Sequence, residues 1–327
     1  MTDMHQTIDI ISKLHHGIVL SESKPVKDAH FIEDCPSYTI PGTDWLIQGF
    51  SVAGERTGFI INSMDLMFDG GMNTYKTVQN MLITHCHGDH SAKIPFVVMS
   101  GKKVKATIYC PRSTCKKLSL FNRACLSLNY NVELIQKDEI TYVGVKPYTF
   151  VPIEFIRKSK VCKLYLSIIR CTHTVPSIGF IVSVEKHHLK DEYKGIAGRQ
   201  LGELRKQGIE LTEATFEKKF AFMGDTTVDV FKDPKNSELL KTPVIMVECT
   251  AIDDSIPVKT ARERGHTHWD ELAPIVKAHP EITFILIHFS RSYKEDFIVD
   301  VFEKVGCSNV VVWLPNKVVT FTFKSST

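Results

Sequence analysis

Residues 81–90 read Met-Leu-Ile-Thr-His-Cys-His-Gly-Asp-His: an apolar, strand-length run that breaks directly into His85, His87, Asp89 and His90. Side chains alternate along an extended chain, so His85 and His87 emerge on one side as the strand ends. Gly88 permits a sharp bend, after which Asp89 and His90 fall in a turn and the start of a helix. Imidazole and carboxylate suit zinc, and three nitrogen ligands plus water make a typical catalytic set. Four such residues also occur in ordinary polar loops. Directly behind a buried strand, H-x-H-x-D-H is the strongest functional signal in the chain.

The rest of the chain is organised to support such a strand end. Strand-length apolar runs follow one another at Trp45–Phe50, Gly58–Asn62, Leu66–Phe68 and Met81–Thr84. A helix is expected over Ala92–Met99, a strand over Val104–Tyr109 and a helix over Ser113–Leu128, where Leu118, Phe121, Ala124, Cys125 and Leu128 recur at helical spacing. Further strands are expected at Val132–Ile135, Thr149–Phe155, Leu164–Arg170, Gly179–Val184, Phe220–Met223 and Val244–Val247. The C-terminal part reads as helix His268–His279, strand Ile282–Ile287, helix Tyr293–Val305, and strands Val310–Trp313 and Val318–Phe323. Strands that first run consecutively and then alternate with helices favour two packed sheets flanked by helices, an α/β architecture. Residues 1–40 read as an N-terminal extension, because Cys35-Pro36 and Ser-Glu-Ser-Lys-Pro interrupt any long periodicity. Residues 41–327 then form the catalytic domain, and the charged, Gly-containing stretch at about 186–211 reads as an insertion between core strands.

Composition narrows the class. The 327 residues are 43% hydrophobic and 24% charged, which is ample material for a globular core. No stretch approaches the roughly 20 apolar residues that cross a bilayer. Asp3, Asp9, His15, His16 and Glu22 break any signal-peptide pattern, so an intracellular place, cytoplasmic or nuclear, is expected rather than secretion. Nine scattered cysteines without a C-x-x-C pair fit buried thiols, not a disulfide scaffold. Between Asp89 and Glu133 no acid occurs, while Lys93, Lys102, Lys103, Lys105, Arg112, Lys116, Lys117 and Arg123 do; a second acid-free run carries Arg157, Lys158, Lys160, Lys163 and Arg170. Basic blocks attract polyanions such as nucleic acid, although each alone fits a solvated face as well.

H-x-H-x-D-H resembles the signature of the metallo-β-lactamase superfamily, which implies a four-layer αββα sandwich with metals at one edge of the sheets. That family takes three more ligands from strand ends. The resemblance assigns them to His173 in Cys171-Thr-His-Thr-Val-Pro-Ser-Ile-Gly-Phe180, to Asp225 in Phe222-Met-Gly-Asp-Thr226, and to His288 in Ile285-Leu-Ile-His-Phe-Ser290. It implies two zinc ions, with manganese or another divalent metal as alternatives. One would be held by His85, His87 and His173 and the other by Asp89, His90 and His288, with Asp225 bridging. The stretches H-T-V-P-S-I-G-F, G-D-T, V-E-C-T, G-H-T-H-W and H-F-S look like those of tRNase Z, the endonuclease that removes the 3′ trailer from precursor tRNA. Tyr193–Gly198, Gly208–Thr212, Glu248–Ser255 and Ala261–His266 are most similar to its short, plant-type form, and the likeness runs from about Trp45 to the C-terminus.

By that resemblance His266 donates a proton to the leaving oxygen, Glu248 holds His266, and Asp89 serves both as ligand and in catalysis. His268 is a neighbouring alternative that spacing does not exclude. The expected products are a tRNA 3′-hydroxyl and a trailer 5′-phosphate, the expected partner is precursor tRNA, and family members commonly act as homodimers, with no membrane involved. Two departures stand out: His288-Phe-Ser-Arg-Ser-Tyr293 carries its arginine one residue early, and Val247-Glu-Cys-Thr250 lacks the histidine of an H-E-A-T motif. The alternatives are a hydrolase of the same fold acting on a small phosphodiester, another RNA or a β-lactam, and a non-catalytic RNA-binding relative.

Overall fold

Trp313 shows how two sheets come to face one another. Its indole is fully buried and its Nε1 donates to the Gly49 carbonyl of the opposite sheet at 3.0 Å. The computed structural model describes residues 18–20, 29–76, 78–100, 105–136, 139–157 and 159–322. The smaller sheet joins β2 (Ser37–Thr39), β3 (Leu46–Val52), β4 (Arg56–Ile61), β5 (Leu66–Phe68), β6 (Asn80–Leu82), β7 (Thr107–Pro111) and β8 (Thr141–Val145), in that order. The larger runs β1-β16-β15-β14-β13-β12-β11-β10-β9. Its strands are β1 (Ile18–Leu20), β9 (Phe150–Arg157), β10 (Lys160–Cys171), β11 (Ser177–Leu189), β12 (Thr212–Phe222), β13 (Val244–Glu248), β14 (Thr283–Ile287), β15 (Val310–Trp313) and β16 (Val318–Phe321).

Period-2 alternation divides the apolar side chains into three cores. Phe59, Phe68 and Leu82 meet Phe180, Phe222 and Ile285 between the sheets. Phe59 lies edge-on to Phe222 and to Trp313, with centroids 5.7 and 5.1 Å apart, contacts worth about 0.5–1.5 kcal/mol each beyond burial. On the outer face of the large sheet, Ile245, Val247, Phe284 and Leu286 pack with Leu272 and Val276 of α6 (Trp269–Ala278) and with Ile298 and Phe302 of α7 (Glu295–Val305). On the outer face of the small sheet, Met67, Met81 and Ile108 pack with Ile94 and Val97 of α2 (Ile94–Ser100) and Leu118 of α3 (Cys115–Tyr130). The layers are therefore αββα, as expected.

Three regions differ in detail. The strand expected at Val132–Ile135 does not form: α3 ends at Asn131 in a left-handed conformation (φ 51°), with Asn131 N–H bonding Leu128 O and Val132 N–H bonding Ser127 O. This cap turns the chain out to solvent, leaving Val132 and Leu134 exposed, and the edge strand comes later as β8. The expected strand start at Val104 lies outside the described residues, as do Lys102, Lys103, Lys158 and Phe323. Of residues 1–40, those described are woven into both sheets: β1 pairs with β16, β2 pairs with β3, and Ile32, Cys35 and Ile40 are buried.

The insertion is the end of a long hairpin. β11 and β12 stay paired to Leu189↔Thr212 and carry α4 (Gly198–Lys206) at the tip, where no residue of the helix is buried.

Candidate metal centre

Strands β5, β6 and β7 are parallel in one sheet, and β12, β13 and β14 are parallel in the other. Their C-terminal ends meet at one edge of the sandwich. There the chain continues past β6 into His85 and His87, and Asp89 and His90 follow on the short helix α1 (Gly88–Ser91). His173 follows β10, Asp225 follows β12, Glu248 ends β13 and His288 follows β14. His288 is held at φ 63° and Asp69, just after β5, at φ 55°. Left-handed backbone at a residue other than glycine costs of order 1–3 kcal/mol and marks places where side-chain aim is dictated by surroundings.

The structure brings all seven expected ligands together. Donor atoms of His85, His87, His173 and Asp225 lie within 4.8 Å of one another, as do those of Asp89, His90 and His288. The Asp225 carboxylate stands between the groups, with Oδ2 3.7 Å from His85 Nε2 and Oδ1 3.4 Å from His90 Nε2. Asp89 Oδ2 is 3.6 Å from His90 Nε2 and 3.5 Å from His288 Nε2, and it accepts from Gly54 N–H at 2.9 Å.

The donor set fits divalent cations on evidence internal to the site. His85 Nε2 is buried without a hydrogen-bond partner. Such an orphan costs about 1–3 kcal/mol unless something else takes its lone pair. His87 Nδ1 and His173 Nε2 approach to 3.1 Å, and His90 Nε2 and His288 Nε2 to 3.2 Å, pairs of ring nitrogens aimed at a common point. The opposite ring nitrogens are anchored, which sets each imidazole's aim: His173 Nδ1 on Gly265 O (2.8 Å), His90 Nδ1 on Asp69 (2.8 Å) and His288 Nδ1 on Thr250 Oγ1 (3.1 Å). Gly265 must be glycine: its φ is 75° and a Cβ would come within 2.6 Å of His173 Nδ1.

The electrostatics follow from this crowding. Burial would lift the Asp225 carboxyl, but the His288, His90 and His85 imidazoles hold it well below the usual carboxylate range. Burial opposes charge on His90, yet Asp225 and Asp69 outweigh it and push the ring up to about 9. His266 is likewise opposed by burial and raised to about 9 by Glu248. His85 is driven well below its ordinary value by burial and by His90.

Beside the cluster, shortly after α5 (Val258–Glu263), His266 Nδ1 bonds Glu248 Oε1 at 2.9 Å and lies 3.8 Å from Asp225. Glu248 is itself fixed by Thr226 N–H (2.8 Å), Thr250 Oγ1 (2.5 Å) and Thr267 N–H (3.2 Å). The structure separates the two neighbouring histidines. His268 is fully buried as the N-cap of α6, accepting from Asp270 N–H at 3.1 Å with its other nitrogen on Asp253 O. One departure from the motifs also finds a place. Val247 faces the outer core under α6, so a histidine there would point away from the site. Tyr293 Oη contacts Asp253 and Ile252 N–H, bracing the loop after β13. Sequence reasoning missed Asp69, Thr84 and Thr250. Asp69 followed by Gly70 and Gly71 at a strand end was the available signal, since a Cβ on Gly71 would meet Asp89 O at 1.8 Å.

An αββα sandwich with imidazoles and carboxylates gathered at the shared C-terminal edge defines a metal-dependent hydrolase of the metallo-β-lactamase fold. The crystal structure of the metallo-beta-lactamase fold protein YhfI from Bacillus subtilis has this fold, with TM-score 0.51 and 12% identity over 83% of this chain and 98% of that one. No protein-family model matches the chain. tRNase Z TRZ1 of Arabidopsis thaliana is 31% identical over 263 residues, 78% of this chain and 88% of TRZ1. The chloroplastic tRNase Z TRZ2 of the same plant is 28% identical over 257 residues, 76% and 68% of the two chains. The chain belongs to the tRNase Z family.

Proposed function

We propose that this protein is a metal-dependent endoribonuclease that cuts the 3′ trailer from precursor tRNA, leaving a 3′-hydroxyl on the tRNA and a 5′-phosphate on the trailer. The observation that carries the reading is the His266–Glu248 pair set 2.9 Å apart against the ligand cluster. A phosphodiester whose leaving group is a ribose oxygen needs a proton there, and an imidazole anchored through Nδ1 presents Nε2 to it.

The cations we propose are two zinc ions, one on His85, His87 and His173, the other on Asp89, His90 and His288, with Asp225 shared. When bound they supply Lewis acidity to water and to the phosphate oxygens. Glu248 holds the imidazole in one orientation, Asp225 fixes the spacing of the two ligand groups, and Gly54 N–H orients Asp89. Water adds to phosphorus, the bond to the 3′-oxygen breaks, and His266 gives that oxygen its proton.

Leu120, Phe121, Leu128, Tyr130, Val132 and Leu134, along α3 and just beyond it, are all exposed. Exposed apolar side chains of this kind support the homodimer expected from the family resemblance. Mapping the cut on a precursor tRNA tests the activity: a single cut at the 3′ side of the acceptor stem is expected. Hydrolysis of a chromogenic diester with no cut in the tRNA would overturn the assigned substrate while leaving the metal chemistry.

A further inference from the structure

A groove of about 660 Å³ opens beside the metal centre, between the turns that follow β7 and β8 in the small sheet and the β10–β11 turn in the large one. His173 forms its inner end. Three exposed cations line it, Arg112 directly after β7, Lys146 directly after β8 and Arg170 near the end of β10; no carboxylate is among its lining residues, and Asp233, bonded to Tyr148 Oη, stands behind Arg170. Ser113 and Thr174 add hydroxyls. The cations come from parts of the chain far apart in sequence, so no single charge run announces the groove.

Its position relative to the proton donor gives it a direction. Along the site edge the sheets run β14-β13-β12-β11-β10 and β4-β5-β6-β7-β8. Glu248 ends β13 and holds His266, whose ring lies 5.1 Å from that of His173 and 5.5 Å from that of His288. The groove starts at His173, beside His266, and runs from there to the turns after β7 and β8, away from β13. The ribose whose 3′-oxygen leaves must lie against His266. The nucleotide that stays bonded to phosphorus departs from the centre elsewhere.

We infer that this groove is the binding track for the trailer, the single-stranded RNA on the 3′ side of the cut, with Arg112, Lys146 and Arg170 neutralising its successive phosphates. The inference rests on the proposed endonuclease reading. The bond balance is that of the proposed hydrolysis: water oxygen joins phosphorus, the tRNA 3′-oxygen leaves with the His266 proton, and the new 5′-phosphate remains at the groove's inner end. Arg112, Lys146 and Arg170 are positioning residues, because they touch the RNA and not the reacting atoms.

The test compares the metal-loaded full chain with an Arg112→Ala/Lys146→Ala/Arg170→Ala variant on one tRNA body carrying a trailer of one or of eight nucleotides. For the wild type the longer trailer should lower KM by about tenfold, and the variant should lose most of that gain with kcat on the short trailer retained. Three lost phosphate contacts should also reduce the salt slope of trailer binding by roughly two, at about 0.7 per contact. An unchanged length dependence in the variant, or equal losses on both trailers, overturns the inference. Hydrolysis of a chromogenic diester in the same variant reports an intact metal centre, and Arg112→Lys/Arg170→Lys, which keeps the charges, should keep most of the length dependence. Should the wild type cut no precursor tRNA, inhibition of diester hydrolysis by a 5′-phosphorylated RNA hexamer still decides. Weaker inhibition of the triple variant keeps the groove as a single-strand site while removing the processing role, and equal inhibition removes the groove as well.

Discussion

Asp69 carries more of the site than its place outside every metal motif implies. It holds His90 Nδ1 at 2.8 Å, receives both the Thr84 amide and hydroxyl, and is fully buried. Asp69→Ala should therefore lower metal affinity by about 10–100-fold, as removal of an outer hydrogen-bond partner typically does, measured by competition with a chelator of known affinity. Unchanged affinity would leave Asp69 with only a packing role. The histidines before α6 divide in a testable way. His266→Ala should keep its metal and lose about 10²–10⁴ in kcat, the usual worth of a positioned proton donor. His268→Ala should lose about 1 kcal/mol of stability through the missing cap, with a smaller effect on kcat. A reversed pattern in the two variants would exchange their roles.

Among the elements, the β11–β12 hairpin carries its tip away from the cores. No residue of its helix α4 is fully buried, and its basic residues partly pair within the arm, Lys194 with Asp191 and Arg199 with Glu203. We propose that it is a shortened, exosite-like arm that grips the tRNA body of a partner subunit's substrate. Deleting 187–207 with a short Gly-Ser bridge should raise KM for precursor tRNA by about tenfold, roughly 1.4 kcal/mol, and spare a chromogenic diester. Equal loss on both substrates would mean that the deletion had damaged the sandwich. Period-2 alternation made most core strands legible, because each strand of the two sheets puts alternate side chains into different cores. It failed at Val132–Ile135, where a left-handed Asn131 cap, decided by backbone bonds to Leu128 and Ser127, sends apolar residues into solvent.

At the scale of the molecule, the two sheets each bring part of the ligand set, so metal content reports on the whole sandwich. Chelator-stripped protein reloaded with zinc should reach a plateau near two equivalents, measured by elemental analysis. A fully active protein at one equivalent would eliminate the bridging role proposed for Asp225. Association is the second whole-molecule property. If the exposed apolar side chains along α3 are where copies meet, Leu128→Lys should shift sedimentation from dimer toward monomer, the Leu128 side chain being 82% exposed and so adding little to the core. A wild-type protein that sediments as a monomer at micromolar concentration would remove the dimer.

By itself the sequence determined two packed sheets flanked by helices and the cluster His85, His87, Asp89 and His90, because both follow from local facts: alternation of apolar residues, and His or Asp placed where an apolar run stops; the αββα order of layers and the ligands His173, Asp225 and His288 followed from the family resemblance of its motifs. Tertiary structure decided what depends on residues distant in the chain. It set Asp69 against His90, chose His266 over His268 as the residue facing the cluster, and wove residues 29–40 and Ile18–Leu20 into the sheets. It also assembled a groove from Arg112, Lys146 and Arg170. The physical reason is the same in each case. Which strand ends share an edge is settled by sheet packing, and spacing along the chain carries no record of that neighbourhood.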